Sequence, residues 1–300
     1  MPNAEPDWTL WRSFRAVLRG GSLSAAARSL GLTQPTVGRH VTELESRLGV
    51  TLFTRAPDGL RPTPTAIGLG PEADAMAATA ASLLRRASGE ADAAHGTVRI
   101  TASEMVGAEV LPGLLGAVRE AHPGIAIELV LSNLPEDLLH RQADIAVRMV
   151  RPTQGALVAR AVGATRLGLY AHRRYADAHG LPATLADLAA HATIGYDTET
   201  PSVRAALAAG FPLRREMFAW RTDSDLAALA MLRAGLGIGV CQVGIARRDP
   251  ALVRVLASDF HVDLGMWIVM HEDLRAVRRM RLMFDHLVTE MSAYAATSRD

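Results

Sequence analysis

Residues 24–55 read SAAARSLGLTQPTVGRHVTELESRLGVTLFTR, and this stretch decides the N-terminal fold. Ala25, Ala26, Ala27 and Leu30 predict a short, tightly packing helix. Gly31 stops it, because glycine accepts the left-handed backbone that ends helices. Thr33 is placed to cap the next helix. Pro35 falls in its first turn, where a missing N–H costs little. Val37, Val41, Leu44 and Leu48 recur at helical spacing and predict its inward face. Gln34, Thr36, Arg39 and His40 lie opposite, with groups that bond base edges or phosphates. A small helix packed against a second, polar-tipped helix is the helix-turn-helix plan for reading a major groove.

The flanking residues extend this plan. Trp8 to Arg19 reads as a preceding helix, apolar at Leu10, Phe14, Val17 and Leu18 and basic at Arg12, Arg15 and Arg19. Gly20-Gly21 ends it, and Ser22 or Ser24 caps the next. Beyond Gly49, Val50 to Phe53 predicts a strand, Pro57-Asp58-Gly59 a turn, and Leu60-Arg61 the return. Three helices and a hairpin make a winged helix-turn-helix, with Arg55 and Arg61 on the wing for phosphates or a minor groove. Residues 1–63 hold eight arginines against five acids, whereas the remainder holds 24 against 26. A mildly basic head on a nearly neutral body suits a DNA reader joined to something else.

The ordered run AAARSLGLTQPTVGRHVTELESRLGVTLFTR, followed by Thr65-Ala66-Ile67-Gly68, resembles the DNA-binding domain of LysR-type transcriptional regulators. The resemblance implies that Ser24, Thr33, Gln34, Pro35, Thr36, Arg39 and His40 face double-stranded DNA, with Arg55 and Arg61 on the wing. Gly38 replaces the family's usual serine, which shifts contact onto Arg39 and His40. Pro64 replaces a common leucine, predicting a stiffer exit from the wing.

The 300-residue length predicts more than one domain, and 49% hydrophobic composition suits a sizeable core. The sequence has no apolar run of about 20 residues, the length of a membrane span. MPNAEPDW has neither a basic nor an apolar signal region, so a cytoplasmic location is expected. All 32 basic residues are arginine. The single cysteine, Cys241, excludes an internal disulfide and fits a reducing compartment. No metal cluster, cofactor motif or catalytic constellation is evident. The glycine run 235–239 precedes a strand instead of following one, so it lacks the geometry of a dinucleotide loop.

Residues 65–90 are alanine-rich. Leu69, Met76 and Leu83 recur at heptad spacing, interleaved with Ala73, Ala80 and Ala87, which predicts a helix pairing with another copy of itself. Leu69, Met76, Ala80 and Leu83 are the expected dimer contacts. Ser88-Gly89 and Ala94-His95-Gly96 mark a hinge. Three domains are thus expected: a winged helix-turn-helix over 1–64, a linker helix over 65–91 and a regulatory domain over 92–300.

Strands are expected at Thr97–Thr101, Ile125–Leu131, Asp144–Arg148, Leu167–Tyr170, Thr193–Tyr196, Ile238–Val240 and Leu264–Met270. Helices are expected at Val110–Glu120, Pro135–Gln142, Leu185–Ala189, Asp225–Ala234 and Val277–Met291. The alternation predicts α/β architecture with a parallel sheet and crossovers. DLLHRQADIAVR and ALAMLRAGLGIGV resemble the regulatory domain of the same family. That resemblance implies a two-lobed, periplasmic-binding-protein-like fold. Lobe I would span about 97–163 and 264–300, and lobe II about 164–263. Crossovers are expected near Val162–Arg166 and Asp259–Asp263. It also implies a small-molecule effector in the cleft, a homodimer or homotetramer, and contact with RNA polymerase at the promoter.

Ligands of α/β sheets sit beyond strand carboxyl ends and at helix N-termini. Ser103, Glu104, Ser132, Asn133, Arg148, Met149, Tyr196, Thr222 and Asp223 fall at such places. Glu104 and Asp223 put negative charge there, which either compensates the helix dipoles or opposes a simple anionic effector, whereas Arg148 argues the other way. A solute-binding module with vestigial or non-specific DNA contact is the alternative reading, with Gly38 as its support.

Overall fold

The computed structural model describes residues 6–56, 59–87, 94–133, 143–152, 157–199, 203–204, 207 and 213–298. The chain divides into two compact units, one built on residues up to Arg86 and the other from Ala87 onward.

In the first unit, α1 (Trp8–Gly20), α2 (Leu23–Leu30) and α3 (Gln34–Leu48) each end on a left-handed glycine, Gly21, Gly31 and Gly49. Ser22, not Ser24, caps α2 by accepting from Ala25 N at 3.2 Å. Phe14, Ala26, Val37, Leu44 and Leu52 are fully buried and share one core. Burial of each large side chain contributes about 1.5–3 kcal/mol. Phe14 also meets Phe53 at 5.7 Å, which fastens the wing to α1.

The wing is β1 (Phe53–Ala56) paired antiparallel with β2 (Gly59–Pro62). Its first strand begins at Phe53, three residues later than expected, for a visible reason. The amides of Leu52 and Phe53 donate to Glu45 Oε1 at 2.7 and 3.1 Å instead of to a strand partner. Of the expected turn, Pro57 and Asp58 lie outside the described residues. Gly59 has φ +132°, and a Cβ there would lie 2.9 Å from the Gly21 carbonyl oxygen. That oxygen accepts from Leu60 N, so the hairpin leans on the α1–α2 turn.

The long helix α4 (Pro64–Ala87) follows at once. Pro64 is its first residue, where a fixed φ suits a helix start and the missing N–H costs little. Thr63 Oγ1 donates to the Thr51 carbonyl and accepts from Ala66 N, which ties the helix start to the wing.

The second unit begins with β3 (Gly96–Ala102), α5 (Glu104–Glu109), α6 (Leu111–Ala121), β4 (Ile125–Leu131) and β5 (Ile145–Arg148). Strand β6 (Leu157–His172) leads to α7 (Arg173–His179), then the short pair β7 (Ile194–Gly195) and β8 (Trp220–Arg221). Then come α8 (Asp225–Arg233), β9 (Ile238–Gln242), α9 (Val243–Ala246), β10 (Leu252–Val255), β11 (Val262–His271) and α10 (Arg278–Thr297). The expected helix over Pro135–Gln142 and Ser88-Gly89 of the hinge fall wholly outside the described residues. The expected helix Leu185–Ala189 is a 3-10 turn over Ala186–Ala190.

Among the described residues the main sheet is seven-stranded, in the order β10-β6-β11-β5-β3-β4, with β9 also on β6. It is mixed, not parallel. Only β4, β3 and β5 run parallel, and β11 pairs antiparallel with both β5 and β6. The chain leaves one half of the sheet along β6 and returns along β11, so these strands must oppose. Up to Leu167, β6 pairs with β11; from Leu167 to His172 it pairs with β9 and β10. Val98, Ile100, Ile145 and Ile268 of the sheet are fully buried against Leu111 of α6 and Met280, Met283 and Leu287 of α10.

Candidate functional site

The first candidate site is the outer face of α3. Val37, Val41 and Leu44 bury the opposite face, so the rotation of α3 is fixed by its apolar stripe. Thr33, Gln34, Pro35 and Arg39 are exposed at the N-terminal end, and Thr36 is half-buried beside them. Thr33 Oγ1 accepts from Thr36 N and lies 2.8 Å from Thr36 Oγ1. Ser24 Oγ donates to Gln34 Oε1 at 3.2 Å, which draws α2 and α3 into one polar surface. The free amides and positive dipole of a helix N-terminus favour phosphate there.

His40 differs from its neighbours. It is half-buried, and its Nδ1 lies 2.8 Å from Oγ of the buried Ser13. One ring nitrogen is therefore engaged inside the unit. Arg61 is exposed on β2, and Arg55 pairs in register with Leu60 across the hairpin. Glu45, which holds the wing, was not singled out by the sequence. Its partners lie seven and eight residues away, in a segment expected to be strand.

The heptad pattern of α4 divides in two. Ala73 is buried and Leu69 packs against the core of its own unit. Asp74 takes both Arg15 and Arg19, the latter at 3.0 Å. Burial alone would raise the Asp74 carboxyl, but the two guanidiniums, Arg15 first, hold it below the usual range. The first heptad thus serves α1, and Leu69, one of the expected dimer contacts, packs partly on its own unit. Farther along, Met76, Leu83 and Leu84 are 41%, 55% and 71% exposed. Ala80 is half-buried.

The second candidate site lies where α5 meets α8. Ser103 precedes α5, and its buried hydroxyl has no hydrogen-bond partner. Asn133, just after β4, accepts from Glu104 N at 3.1 Å and donates to Asp225 Oδ2 at 3.2 Å. Ser224 caps α8 and donates to Glu104 Oε2 at 3.0 Å. The start of α5, the end of β4 and the start of α8 thus form one connected polar cluster. Asp225 stays open to water but is crowded by protein. That desolvation, reinforced by the Glu104 charge and opposed by the Asn133 bond, raises its carboxyl.

A clasp stands beside the cluster. Glu109 at the end of α5 takes both Nη atoms of Arg233 at the end of α8, at 2.8 and 2.7 Å. The Arg233 hydrogen bonds hold the Glu109 carboxyl below its usual range. No local pattern could reveal a pair 124 residues apart.

Other expected residues make contacts of their own within the unit. Asp223 accepts from the amides of Asp197 and Thr198, both at 2.9 Å, and from the Thr198 hydroxyl. It is a loop clamp, kept below its usual pKa by the Thr198 bonds, and the acid at the cluster is Asp225 instead. Thr222 Oγ1 accepts from Ser224 N. Tyr196 packs edge-on against Phe218 at 5.1 Å, and Met149 packs on the sheet's core. Arg148 donates to the Ser132 carbonyl at 2.7 Å and to Thr101 Oγ1 at 3.3 Å, so it supports the strand ends.

Two features of enzymes have structural roles here. Burial raises the Cys241 thiol to about 12, so it is protonated and inert near neutrality. Gly237 lies where a Cβ would be 2.3 Å from the Ala192 carbonyl oxygen, so the glycine run serves close backbone packing.

Comparison with known proteins bears on both sites. Residues 8–67 match the bacterial regulatory helix-turn-helix protein, lysR family, and residues 91–292 match the LysR substrate binding domain. The chain is 28% identical to a probable HTH-type transcriptional regulator, LtrA, of Klebsiella pneumoniae, over 99% of this chain and 98% of that one. It superposes on the structure of CrgA, a LysR-type regulator from Neisseria meningitidis, with a TM-score of 0.60 and 25% identity over 94% of this chain and 98% of that one. The fold also matches full-length CbnR complexed with its target DNA, with a TM-score of 0.65 and 20% identity over 95% and 99% of the two chains.

Proposed function

Because the chain belongs to the LysR family of DNA-binding transcription regulators with an effector-binding domain, we propose how its own residues perform that work. The α3 surface enters a major groove. Gln34, Thr36 and Arg39 read base edges there, with His40 joining through its remaining ring nitrogen. Ser24, Thr33 and Pro35 border the phosphates, and Arg55 and Arg61 meet the backbone beside the wing. The operator is partly palindromic, because two-fold protein symmetry repeats the half-site about one helical turn away. Met76, Ala80 and Leu83 form the self-pairing seam of α4 in a homodimer that assembles further into a homotetramer. Residues 92–300 are the regulatory domain, acting by binding and not by catalysis. A cytoplasmic site of action suits a DNA ligand, and the described helices include none long and apolar enough to cross a membrane.

The observation that carries the DNA reading is the exposed, polar N-terminal face of a helix whose other face is buried. A gel-shift titration on the gene's own upstream DNA tests it. Arg39→Ala is expected to lose about 1–3 kcal/mol and to relax specificity at one base. A uniform loss across sequences with a smaller salt slope would assign Arg39 to phosphate instead.

A small-molecule effector is proposed to bind at the cluster of Ser103, Glu104, Asn133 and Asp225, where both halves of the second unit meet. Ser132, Arg148 and Thr222 shape its surroundings. An effector changes the DNA-binding state only through different affinities for two arrangements. The α5–α8 contact is the element it would bias.

A further inference from the structure

Resting on the reading of α3 as the helix that faces DNA, we propose that Ser13 is a positioning residue for base readout. It holds His40 in the tautomer whose hydrogen is on Nε2, so that the ring offers DNA an N–H donor. Ser13 lies on α1 and is 1% exposed. His40 lies on α3, next to the exposed Arg39. The two side chains meet between the helices, Oγ to Nδ1 at 2.8 Å. Phe14, Val37 and Leu44, all fully buried in one core, fix how α1 and α3 pack, so the pair meets in a rigid frame.

A hydroxyl has one hydrogen, and a buried one needs an acceptor for it. Helical serines and threonines often use a carbonyl one turn back. Ser29, Thr289 and Ser292 do so here, donating to the carbonyls of Ala26, Asp285 and Val288. Ser13 does not. Among the described residues, His40 Nδ1 is the one acceptor within reach of its hydroxyl. Ser13 Oγ therefore donates to the Nδ1 lone pair, and in a neutral imidazole the hydrogen then sits on Nε2. The reverse arrangement, Nδ1–H donating to Ser13, strands the serine's hydrogen in the core. Nε2 has no protein partner among the described residues and is not closed off from solvent. An N–H donor at that place selects acceptors: purine N7, guanine O6, thymine O4 or a phosphate oxygen. It rejects the exocyclic amino groups of adenine and cytosine, which donate themselves. Without Ser13 the ring carries its hydrogen on either nitrogen, and that discrimination is lost.

Solid-state NMR of the full chain with isotope-labelled histidine reads the tautomer directly above about pH 8, where imidazoles are neutral. The His40 signals are those absent from His40→Ala. The proposal expects the hydrogen on Nε2 in the DNA-free chain and a mixture of tautomers in Ser13→Ala. A hydrogen on Nδ1, or a tautomer unmoved by Ser13→Ala, overturns it. Gel shifts on the gene's own upstream DNA form the second arm, with acceptors removed one at a time. Base analogues lacking purine N7, guanine O6 or thymine O4 probe the base edges, and methylphosphonates probe the backbone. At one position the removal should weaken the native chain about two- to tenfold, leave His40→Ala unchanged and affect Ser13→Ala less. An adenine analogue without its amino group that weakens the native chain but not His40→Ala overturns the donor role. Affinity that falls with Arg39→Ala but ignores His40→Ala also overturns it, while leaving α3 in the groove. Affinity that ignores both substitutions overturns the reading of α3 itself.

Discussion

Arg39 and His40 are adjacent on α3 and have different duties, which substitution separates. His40 closes on the buried Ser13, so His40→Ala strands that hydroxyl and should cost about 1 kcal/mol in urea unfolding. Arg39 is exposed, and its removal should move stability by less than about 0.5 kcal/mol while DNA affinity falls. Between Val37 and Arg39, Gly38 is a helix-interior glycine whose Cβ would meet Leu23 Cδ1 at an ordinary 3.5 Å. Gly38→Ala should therefore stabilise the unit by about 0.5–1 kcal/mol, read as a higher urea midpoint with unchanged slope. The polar face of α3 was legible in the sequence because helical periodicity fixes which residues point outward. The Ser13–His40 bond was not, because it joins positions 27 residues apart on different helices.

Glu45 shows what elements ask of one another. It belongs to α3, yet its carboxylate receives two amides at the entrance to the wing, and Leu52 is fully buried there. Glu45→Ala leaves those amides without acceptors and should cost about 1–3 kcal/mol. Loss of minor-groove or phosphate contact by the loosened wing would appear as a smaller salt slope in DNA titrations. In α4 the heptad was legible, but its division was not. Spacing alone cannot distinguish a seam for another copy from a stripe that packs on α1. The stripe's early residues pack inward and Asp74 is tied to Arg15 and Arg19, whereas Leu83 stays exposed. Leu83→Glu should accordingly dissociate the proposed dimer in sedimentation runs while leaving the thermal unfolding of the first unit nearly unchanged. Leu69→Glu should do the reverse and unfold that unit.

At the scale of the whole molecule, the sequence carried the order of elements better than their pairing. Alternating strands and helices announced an α/β unit, but β6 and β11 are long strands that change partners, and no local period encodes that exchange. The same limit hid the contacts of Asp225 with Asn133 and of Glu109 with Arg233. These long-range carboxylates give the chain opposing responses to pH. Asp74 and Glu109 are held below the usual carboxylate range, so their stabilisation is complete above about pH 4–5 and is lost as pH falls through their folded-state pKa values. Asp225 has the opposite sign. Its folded pKa lies above the unfolded one, so it contributes no penalty in acid and subtracts stability as rising pH ionises it. Thermal melts between pH 3 and pH 8 separate the two. Asp74→Asn should lower Tm near neutrality, with the deficit shrinking on acidification. Asp225→Asn should raise Tm near neutrality, with the gain vanishing below about pH 4, where the native carboxyl is already protonated. A deficit for Asp225→Asn at pH 7 would mean that the carboxylate stabilises the contact of α5 with α8. In that case the charge at the cluster would hold the structure together.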